Sequence, residues 1–130
     1  MKYLLDTHTL LWALENNDYL SDEVRGILLD DNNLIYVSTV SLLEISIKHK
    51  KHPEIMQYTT KEIVDYSTRA GYIFLSFSVD NTIMHERIDY GTHNDPFDQM
   101  LIAQSVSNNM LLISHDETIR KINPQLTVYF

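Results

Sequence analysis

Hydrophobic positions along the chain follow two patterns that alternate from one end to the other. Short continuous apolar runs are typical of strands covered on both faces, and they occur at residues 3–5, 34–37, 72–77, 110–113 and 126–130. Between these runs, apolar residues recur at the spacing of an amphipathic helix. This second pattern predicts helices over residues 10–14, 21–29, 58–70, 79–88, 96–108 and 117–122, and over a segment that starts at Ser38 or Ser41 and closes with residues 48–52.

This alternation of apolar strands and helices predicts the fold class. Strands that are apolar throughout and are separated by helices indicate an α/β protein. We therefore expect three layers (α/β/α), with helices on both faces of a central, mainly parallel five-stranded sheet. A chain of 130 residues can bury a substantial core, so residues 1–130 are predicted to form a single domain.

Five acidic residues follow or precede the predicted elements at comparable places. Asp6 follows the first strand and Asp116 follows the fourth. Asp95 and Asp98 begin the helix that leads into the fourth strand, and Glu44 lies within the first two turns of the helix after the second. Parallel strands end at one edge of a sheet, and the helices that run back between them begin near that edge. The five carboxylates are therefore expected to converge on one cleft.

The same residues also fit a purely structural role as helix caps. Asp6 and Asp116 are suited to cap the helices that follow their strands. Asp95 and Asp98 fit a capping box in which Asp replaces the usual Glu. Glu44 completes a capping box only if its helix begins at the second of the two candidate serines.

Carboxylates that crowd into one cleft repel one another unless they are protonated or bind a cation. Oxygen ligands in a chain without cysteine indicate a hard cation, Mg²⁺ or Mn²⁺. Two such ions about 3.5–4 Å apart activate a water molecule and stabilise the leaving oxygen in phosphodiester hydrolysis. The acidic residues therefore predict metal-dependent chemistry at a phosphodiester.

Composition and charge limit the classes of function that fit. The net charge of −8 argues against a general nucleic-acid coat protein, because phosphate binding leaves a basic footprint. Two bound divalent cations would change −8 to −4, with the correction concentrated at the site. The chain has no cysteine, no room for a signal peptide before Asp6 and no apolar run long enough to span a membrane, which favours a cytoplasmic protein.

The acidic residues lie within longer motifs that are spread over nearly the whole chain. These motifs are Leu4-Leu5-Asp6-Thr7-His8-Thr9-Leu10-Leu11-Trp12, Ser41-Leu42-Leu43-Glu44-Ile45, Asp95-Pro96-Phe97-Asp98 with Leu101-Ile102-Ala103-Gln104, and Leu112-Ile113-Ser114-His115-Asp116. In order and spacing they closely resemble the motifs of PIN-domain ribonucleases. Within that family they look most like the VapC-like toxins of type II toxin–antitoxin pairs.

The resemblance implies an activity, a cofactor and partners. It implies a Mg²⁺- or Mn²⁺-dependent endoribonuclease that hydrolyses RNA phosphodiester bonds on a PIN-like α/β/α fold. Asp6, Glu44, Asp98 and Asp116 would be catalytic and hold the metal ions, with Asp95 as a further metal-binding carboxylate. The resemblance also implies a protein antitoxin as partner and a homodimer.

Two positions depart from the family pattern. Gln99 occupies a position where the family often has Arg, which removes a possible phosphate contact. Ser114 occupies a position where the family favours Thr, and it keeps the hydroxyl.

Several other residues are candidates to contact RNA. The hydroxyls of Thr7 and Ser114 lie beside acidic positions, and the only basic run is suited to steer phosphates toward the cleft; its lysines are Lys48, Lys50 and Lys51. A solvated helix end that complements the helix dipole explains this basic run equally well. The histidines next to acidic positions, His8, His93 and His115, are candidates to contact substrate. Trp12 is expected in the core or in a dimer interface.

Two other functions remain open at this point. A receiver-like signalling domain also gathers acidic residues around one Mg²⁺ at the edge of a parallel sheet, and a catalytically inactive module could be kept for binding a protein partner. Nucleotide binding has no support, because the only glycines are Gly26, Gly71 and Gly91 and no glycine-rich phosphate loop can be drawn.

Overall fold

The computed structural model describes residues 1–130 and has a single five-stranded sheet in which every pair of neighbouring strands is parallel. The strands are β1 (Lys2–Leu5), β2 (Leu34–Ser38), β3 (Ile73–Leu75), β4 (Leu111–Ser114) and β5 (Thr127–Tyr129). The α/β class and the parallel sheet predicted from the hydrophobic pattern are confirmed.

Seven helices connect and cover these strands. They are α1 (Thr7–Glu15), α2 (Asp22–Leu29), α3 (Thr39–Lys51), α4 (Thr60–Arg69), α5 (Val79–Arg87), α6 (Pro96–Asn108) and α7 (Glu117–Ile122). None of them combines the length and the apolar character that a membrane crossing requires.

Two hydrophobic clusters lie on opposite faces of the sheet. Tyr3 and Leu5 of β1 belong to the larger cluster with residues of α1, α2 and α4, whereas Leu4 belongs to the smaller cluster with residues of α6 and α7. This division follows from the strand period of two, because successive side chains point to opposite faces. The three layers expected from the sequence are therefore present.

The strands lie in the order β3-β2-β1-β4-β5, so the direction of connection reverses between β1 and β4. Open α/β sheets bind ligands in the crevice outside the carboxyl ends of their strands at such a switch point. Receiver-like domains have the order 2-1-3-4-5. The observed order therefore rules out the receiver-like fold.

Several boundaries differ from the sequence prediction for local reasons. α1 begins three residues before the predicted start, at Thr7, because Asp6 caps it and accepts a hydrogen bond from the backbone N–H of Thr9 at 2.8 Å. β3 ends before the predicted residue 77, where the backbone N–H of Phe77 donates to the Thr39 hydroxyl at 3.2 Å instead of to a strand. α3 begins after its N-cap Ser38, which settles the choice of start.

Candidate metal and phosphodiester site

A cleft of about 550 Å³ opens at the carboxyl edge of the sheet, at the switch point between β1 and β4. The structure brings all five predicted carboxylates into its lining, together with one that the sequence did not single out; the six are Asp6, Glu44, Asp95, Asp98, Asp116 and Glu117. The only cationic side chain in the lining is Lys48. The cleft therefore concentrates negative charge from four separate stretches of the chain.

Helix capping fixes the position of three of these carboxylates. Asp6, Asp95 and Asp116 are the N-caps of α1, α6 and α7, so the structural role considered for them is also present. Each accepts backbone N–H bonds through Oδ1: Asp6 at 2.8 Å, Asp95 at 2.9 and 3.2 Å, and Asp116 at 2.8 Å. Because a carboxylate has two acceptor oxygens, capping through Oδ1 leaves Oδ2 of each residue for other partners.

Glu44 is held by side chains and takes no part in a cap. Since α3 starts after Ser38, Glu44 lies in its second turn, outside the capping box with Ser41. It is 5% exposed, accepts a hydrogen bond from the Thr7 hydroxyl at 2.6 Å, and pairs with the Lys48 ammonium at 2.5 Å. A buried carboxylate needs such partners, because an unpaired charge away from water is costly.

Asp98 and Asp116 are joined through two side chains that lie between them. His93 Nε2 is 3.1 Å from Asp98 Oδ2, and His93 Nδ1 is 3.0 Å from the Thr118 hydroxyl, which donates to Asp116 Oδ1 at 2.5 Å. One ligand atom each from His93, Asp98 and Asp116 can be chosen so that all three lie within 4.8 Å of one another. Asp98 thus makes only half of the expected capping box with Asp95, since its side chain turns to His93.

The protonation behaviour of the carboxylates reflects their different surroundings. Burial raises the pKa of Asp6 above its ordinary value, and hydrogen bonds from Ser114 and Thr9 only partly oppose the shift. Burial, reinforced by the charge of Asp95, raises the pKa of Asp98 to about 6, against the opposing effect of His93. Partial burial acts to raise the pKa of Asp116, but hydrogen bonds from Thr118 outweigh it, and the pKa is lowered.

These properties fit a divalent cation. The lining supplies six carboxylates, the imidazoles of His8 and His115, and no thiolate, and the imidazole of His93 lies beside Asp98. Carboxylate oxygens are the ligands that suit Mg²⁺ and Mn²⁺. Burial raises the pKa values of Asp6 and Asp98, so the charged forms of both carboxyls are disfavoured in the metal-free cleft, and opposite charge beside them would favour those forms. A bound cation would supply that charge.

The raised pKa of Asp98 predicts how the stability of the metal-free protein depends on pH. Its pKa is about 6 in the folded protein and about 3.9 in an unfolded chain, so its contribution to stability is complete below pH ~4 and is lost as the pH rises through about 6. The effect of Asp6 has the same sign. In EDTA, we expect the melting temperature of the wild type, minus that of Asp98→Asn, to decrease as the pH is raised from 4.5 to 7.5. A constant difference between the two proteins would contradict this.

The Thr7 hydroxyl is predicted to stabilise the protein by satisfying Glu44. Thr7→Val removes the 2.6 Å hydrogen bond to a buried carboxylate at nearly constant volume, and should lower the free energy of unfolding by about 1–3 kcal/mol in urea titrations. Thr68→Val is the matched control, because the exposed Thr68 hydroxyl bonds only to the carbonyl of Val64 in its own helix. Equal losses in both variants would mean that Glu44 does not depend on Thr7.

The residues expected to contact RNA have mixed placements. Lys48 lines the cleft but is paired with Glu44, and neither Lys50 nor Lys51 belongs to the lining. Thr7 is buried and its hydroxyl serves Glu44 and Ser41. Ser114 has no exposed surface; its hydroxyl accepts from the backbone N–H of Asp116 at 3.0 Å and hydrogen-bonds to Asp6. These two hydroxyls therefore support carboxylates and do not face a ligand.

Gln99, where the resemblance leads one to expect Arg, supports the loop that carries His93. Its amide nitrogen donates to the backbone carbonyl of His93 at 2.7 Å, and its amide oxygen lies 3.0 Å from His85 Nε2. Gln99 therefore fixes the imidazole that contacts Asp98, and does not extend into the cleft lining.

Sequence reasoning assigned no role at the site to Thr118 or Glu117, and it indicated His93 only as a candidate to contact substrate. The link from His93 to Thr118 spans 25 residues, so only the folded chain reveals it. Glu117 directly follows Asp116, and that adjacency was the one available signal for it. The structure also places Trp12 in the cleft lining beside His8 and His115, which the helical pattern alone did not indicate.

Comparison with known protein families gives one match. The PIN domain model matches residues 3–123, nearly the whole chain. PIN domains are a family of nucleases. No curated protein sequence matches the chain.

Solved structures with a similar fold include two from toxin–antitoxin complexes. A chain of VapBC2 from Rickettsia felis, bound to a DNA fragment from its promoter, has a TM-score of 0.74 at 19% identity, and the alignment covers 99% of this chain and 98% of that chain. A chain of VapBC-1 from nontypeable Haemophilus influenzae has a TM-score of 0.69 at 14% identity, with 99% and 98% covered. A domain of a functionally unknown protein from Methanocaldococcus jannaschii has a TM-score of 0.63 at 11% identity, with 99% and 90% covered.

Proposed function

Because this chain belongs to the PIN domain family, we propose that it is a metal-dependent endoribonuclease that hydrolyses RNA phosphodiester bonds, and that it is the toxin of a toxin–antitoxin pair. The observation that carries the proposal is the convergence of Asp6, Glu44, Asp98 and Asp116 on one cleft at the switch point of the sheet. These four residues come from separate stretches of the chain. Capping alone does not require them to meet.

Each residue has a distinct task in this proposal. Asp6, Asp98 and Asp116 would hold Mg²⁺ or Mn²⁺ through the oxygens that face the cleft, with Asp95 close to Asp98. When bound, the ion supplies an activated water and stabilises negative charge on the leaving oxygen. Glu44, kept in place by Thr7 and Lys48, completes the acidic set from the side of α3.

His93 and Thr118 are positioning residues in the same proposal. The Thr118 hydroxyl orients one oxygen of Asp116, and the imidazole of His93 orients one oxygen of Asp98. A carboxylate fixed in this way loses little freedom when it meets a cation. The 3.0 Å contact between His93 and Thr118 couples the two carboxylates.

The deciding experiment is a cleavage assay on mixed cellular RNA. Purified protein with Mn²⁺ or Mg²⁺ should convert long RNA to shorter fragments, and excess EDTA should stop the reaction. Cleavage that continues in EDTA would contradict the metal dependence. Metal binding without any cleavage would leave the inactive protein-interaction module as the better description.

The partners follow from the same proposal. Chains with this fold occur in the VapBC complexes, which supports a protein antitoxin as the partner of this chain. We also expect a homodimer. Light scattering of the purified chain, for which a monomer has a mass of 15.2 kDa, tests the dimer.

A further inference from the structure

One wall of the acidic cleft is aromatic. Trp12 is the only hydrophobic residue in the lining, and His8 and His115 also line the cleft. Their ring centroids lie 5.8 Å and 5.6 Å from that of Trp12. Tyr19 lies outside the cleft lining but next to it, with its ring centroid 5.2 Å from that of Trp12, and it is 69% exposed. We call these four residues the aromatic wall.

The loop that carries Tyr19 is fixed by hydrogen bonds. The Arg25 guanidinium donates to the side-chain oxygen of Asn16, and to the backbone carbonyls of Asn17 at 3.1 Å and Leu20 at 3.3 Å. The backbone N–H of Tyr19 donates to the side chain of Asn17 at 2.9 Å. The exposed ring of Tyr19 therefore extends from a backbone that hydrogen bonds hold in place, which lowers the entropic cost of stacking a base against it.

Charge in the cleft gives little attraction for a polyanion. Six carboxylates and one ammonium line it, which leaves five negative charges, and two divalent ions would still leave one. The single ammonium, on Lys48, is already paired with Glu44. Binding energy for RNA must then come largely from contacts that do not depend on charge. Stacking of bases on aromatic rings is such a contact, and it is available only to unpaired bases.

We propose that the aromatic wall of His8, Trp12, His115 and Tyr19 is a nucleobase-binding subsite beside the acidic cleft. The inference rests on the proposed nuclease function, because the wall adjoins the carboxylates that would act on the phosphodiester. A base stacked on Trp12 would bring its strand into the cleft that Asp6 and Asp116 also line. Bases within a duplex are already stacked and cannot reach the rings.

Trp12 is the only tryptophan in the chain, so its fluorescence reports directly on the wall. The test titrates the full chain, in Ca²⁺, with a short oligouridylate, with the same strand annealed to oligoadenylate, and with an abasic strand of equal length. Ca²⁺ takes oxygen ligands as Mg²⁺ does. Saturable quenching by the single strand alone is expected. Equal quenching by all three probes, or by none, would overturn the proposal.

Two variants and one control separate stacking from folding effects. Tyr19→Ser should weaken oligouridylate binding roughly 5- to 150-fold. Because the Tyr19 ring is exposed, its removal should not unfold the protein. Trp12→Phe keeps a ring at this position and should weaken binding less; because this variant has no tryptophan, its affinity is measured by the anisotropy of a dye-labelled oligouridylate. Phe74→Leu removes a half-exposed ring from edge strand β3 and should leave affinity unchanged. Unchanged affinity in Tyr19→Ser and Trp12→Phe would overturn the subsite.

Salt dependence and cleavage separate this inference from the proposed function. One ammonium in the cleft allows about one phosphate contact, so a plot of log affinity against log salt concentration should have a slope no steeper than about −0.7. If the wild type binds oligouridylate with quenching but cleaves no RNA, the proposed nuclease function is contradicted and the proposed nucleobase subsite is still supported. Equal cleavage by wild type and Tyr19→Ser, with a change in oligomer mass in the variant, would make the wall a protein interface and overturn the subsite.

Discussion

Asp6→Asn is expected to lower the rate of RNA cleavage by at least about a hundredfold. The substitution removes a carboxylate from the metal-binding set, and an electrostatic contribution of several kcal/mol to the transition state corresponds to such a factor. The fold should survive, because Asn caps a helix as well as Asp does and can still accept the 2.8 Å hydrogen bond from Thr9. The measurement is the initial rate of cleavage at saturating Mn²⁺, with circular dichroism to verify the fold.

Asp31→Asn is the matched control for this loss of charge. Asp31 is exposed in the turn before β2, at the opposite edge of the sheet from the cleft. Its removal changes the net charge by the same amount and should leave the cleavage rate within a factor of two or so. An Asp6→Asn protein that is folded and as active as Asp31→Asn would remove Asp6 from the mechanism.

Asp98→Asn is expected to abolish most of the thermal stabilisation that divalent ions give to the wild type. An ion at a hundred times its dissociation constant stabilises the folded protein by about 2.7 kcal/mol, which is on the order of 10 °C in melting temperature for a chain of this size. The variant should lose this rise. In EDTA at pH 7.5 it should melt above the wild type, because burial disfavours the charged form of Asp98, whose pKa is about 6.

Asp98→Asn should lose stability relative to the wild type with metal and gain it in EDTA, and these opposite changes distinguish a metal ligand from a residue that only supports the fold. A variant that merely damages the fold would melt lower both with and without metal. A protein that loses the metal response but gains stability in EDTA indicates a carboxylate whose charge is tolerated only beside a cation. A full metal response in Asp98→Asn would contradict the shared site.

The parts of the fold that depend on interactions between residues close in sequence could be predicted. Buried parallel strands are apolar along their whole length, so β1, β2 and β4 were recognisable. Asp95 and Pro96 mark the start of α6 because capping and the fixed φ angle of proline are local effects. The carboxyl-edge position of Asp6 and Asp116 then followed from the geometry of a parallel sheet.

The order of the strands could not be predicted in this way. Pairing between β1 and β4 joins residues that are more than a hundred positions apart, and no local pattern encodes that choice. The family resemblance supplied the fold where the hydrophobic pattern supplied only the class. The observed order then separated the protein from receiver-like domains, which the acidic residues alone did not.

Local patterns also failed to predict the first turn of α1, which is polar, and the role of a loop residue that depends on a tertiary contact. The polar residues Thr7, His8 and Thr9 masked the first turn of α1, whose N-cap is Asp6. The role of His93 depends on the path of the loop before α6, which Gln99 holds in place. Such contacts arise only after the helices have packed.

An anomalous difference map from crystals grown with Mn²⁺ would show directly whether the acidic cleft holds the ion. We expect one or two peaks in the cleft, within coordination distance of the carboxylate oxygens of Asp6 and of Asp98 or Asp116. Crystals of Asp98→Asn, grown at the same Mn²⁺ concentration, should show weaker peaks or none. An empty cleft in the wild type, at a Mn²⁺ concentration that supports cleavage, would contradict the proposal that these carboxylates hold the ion.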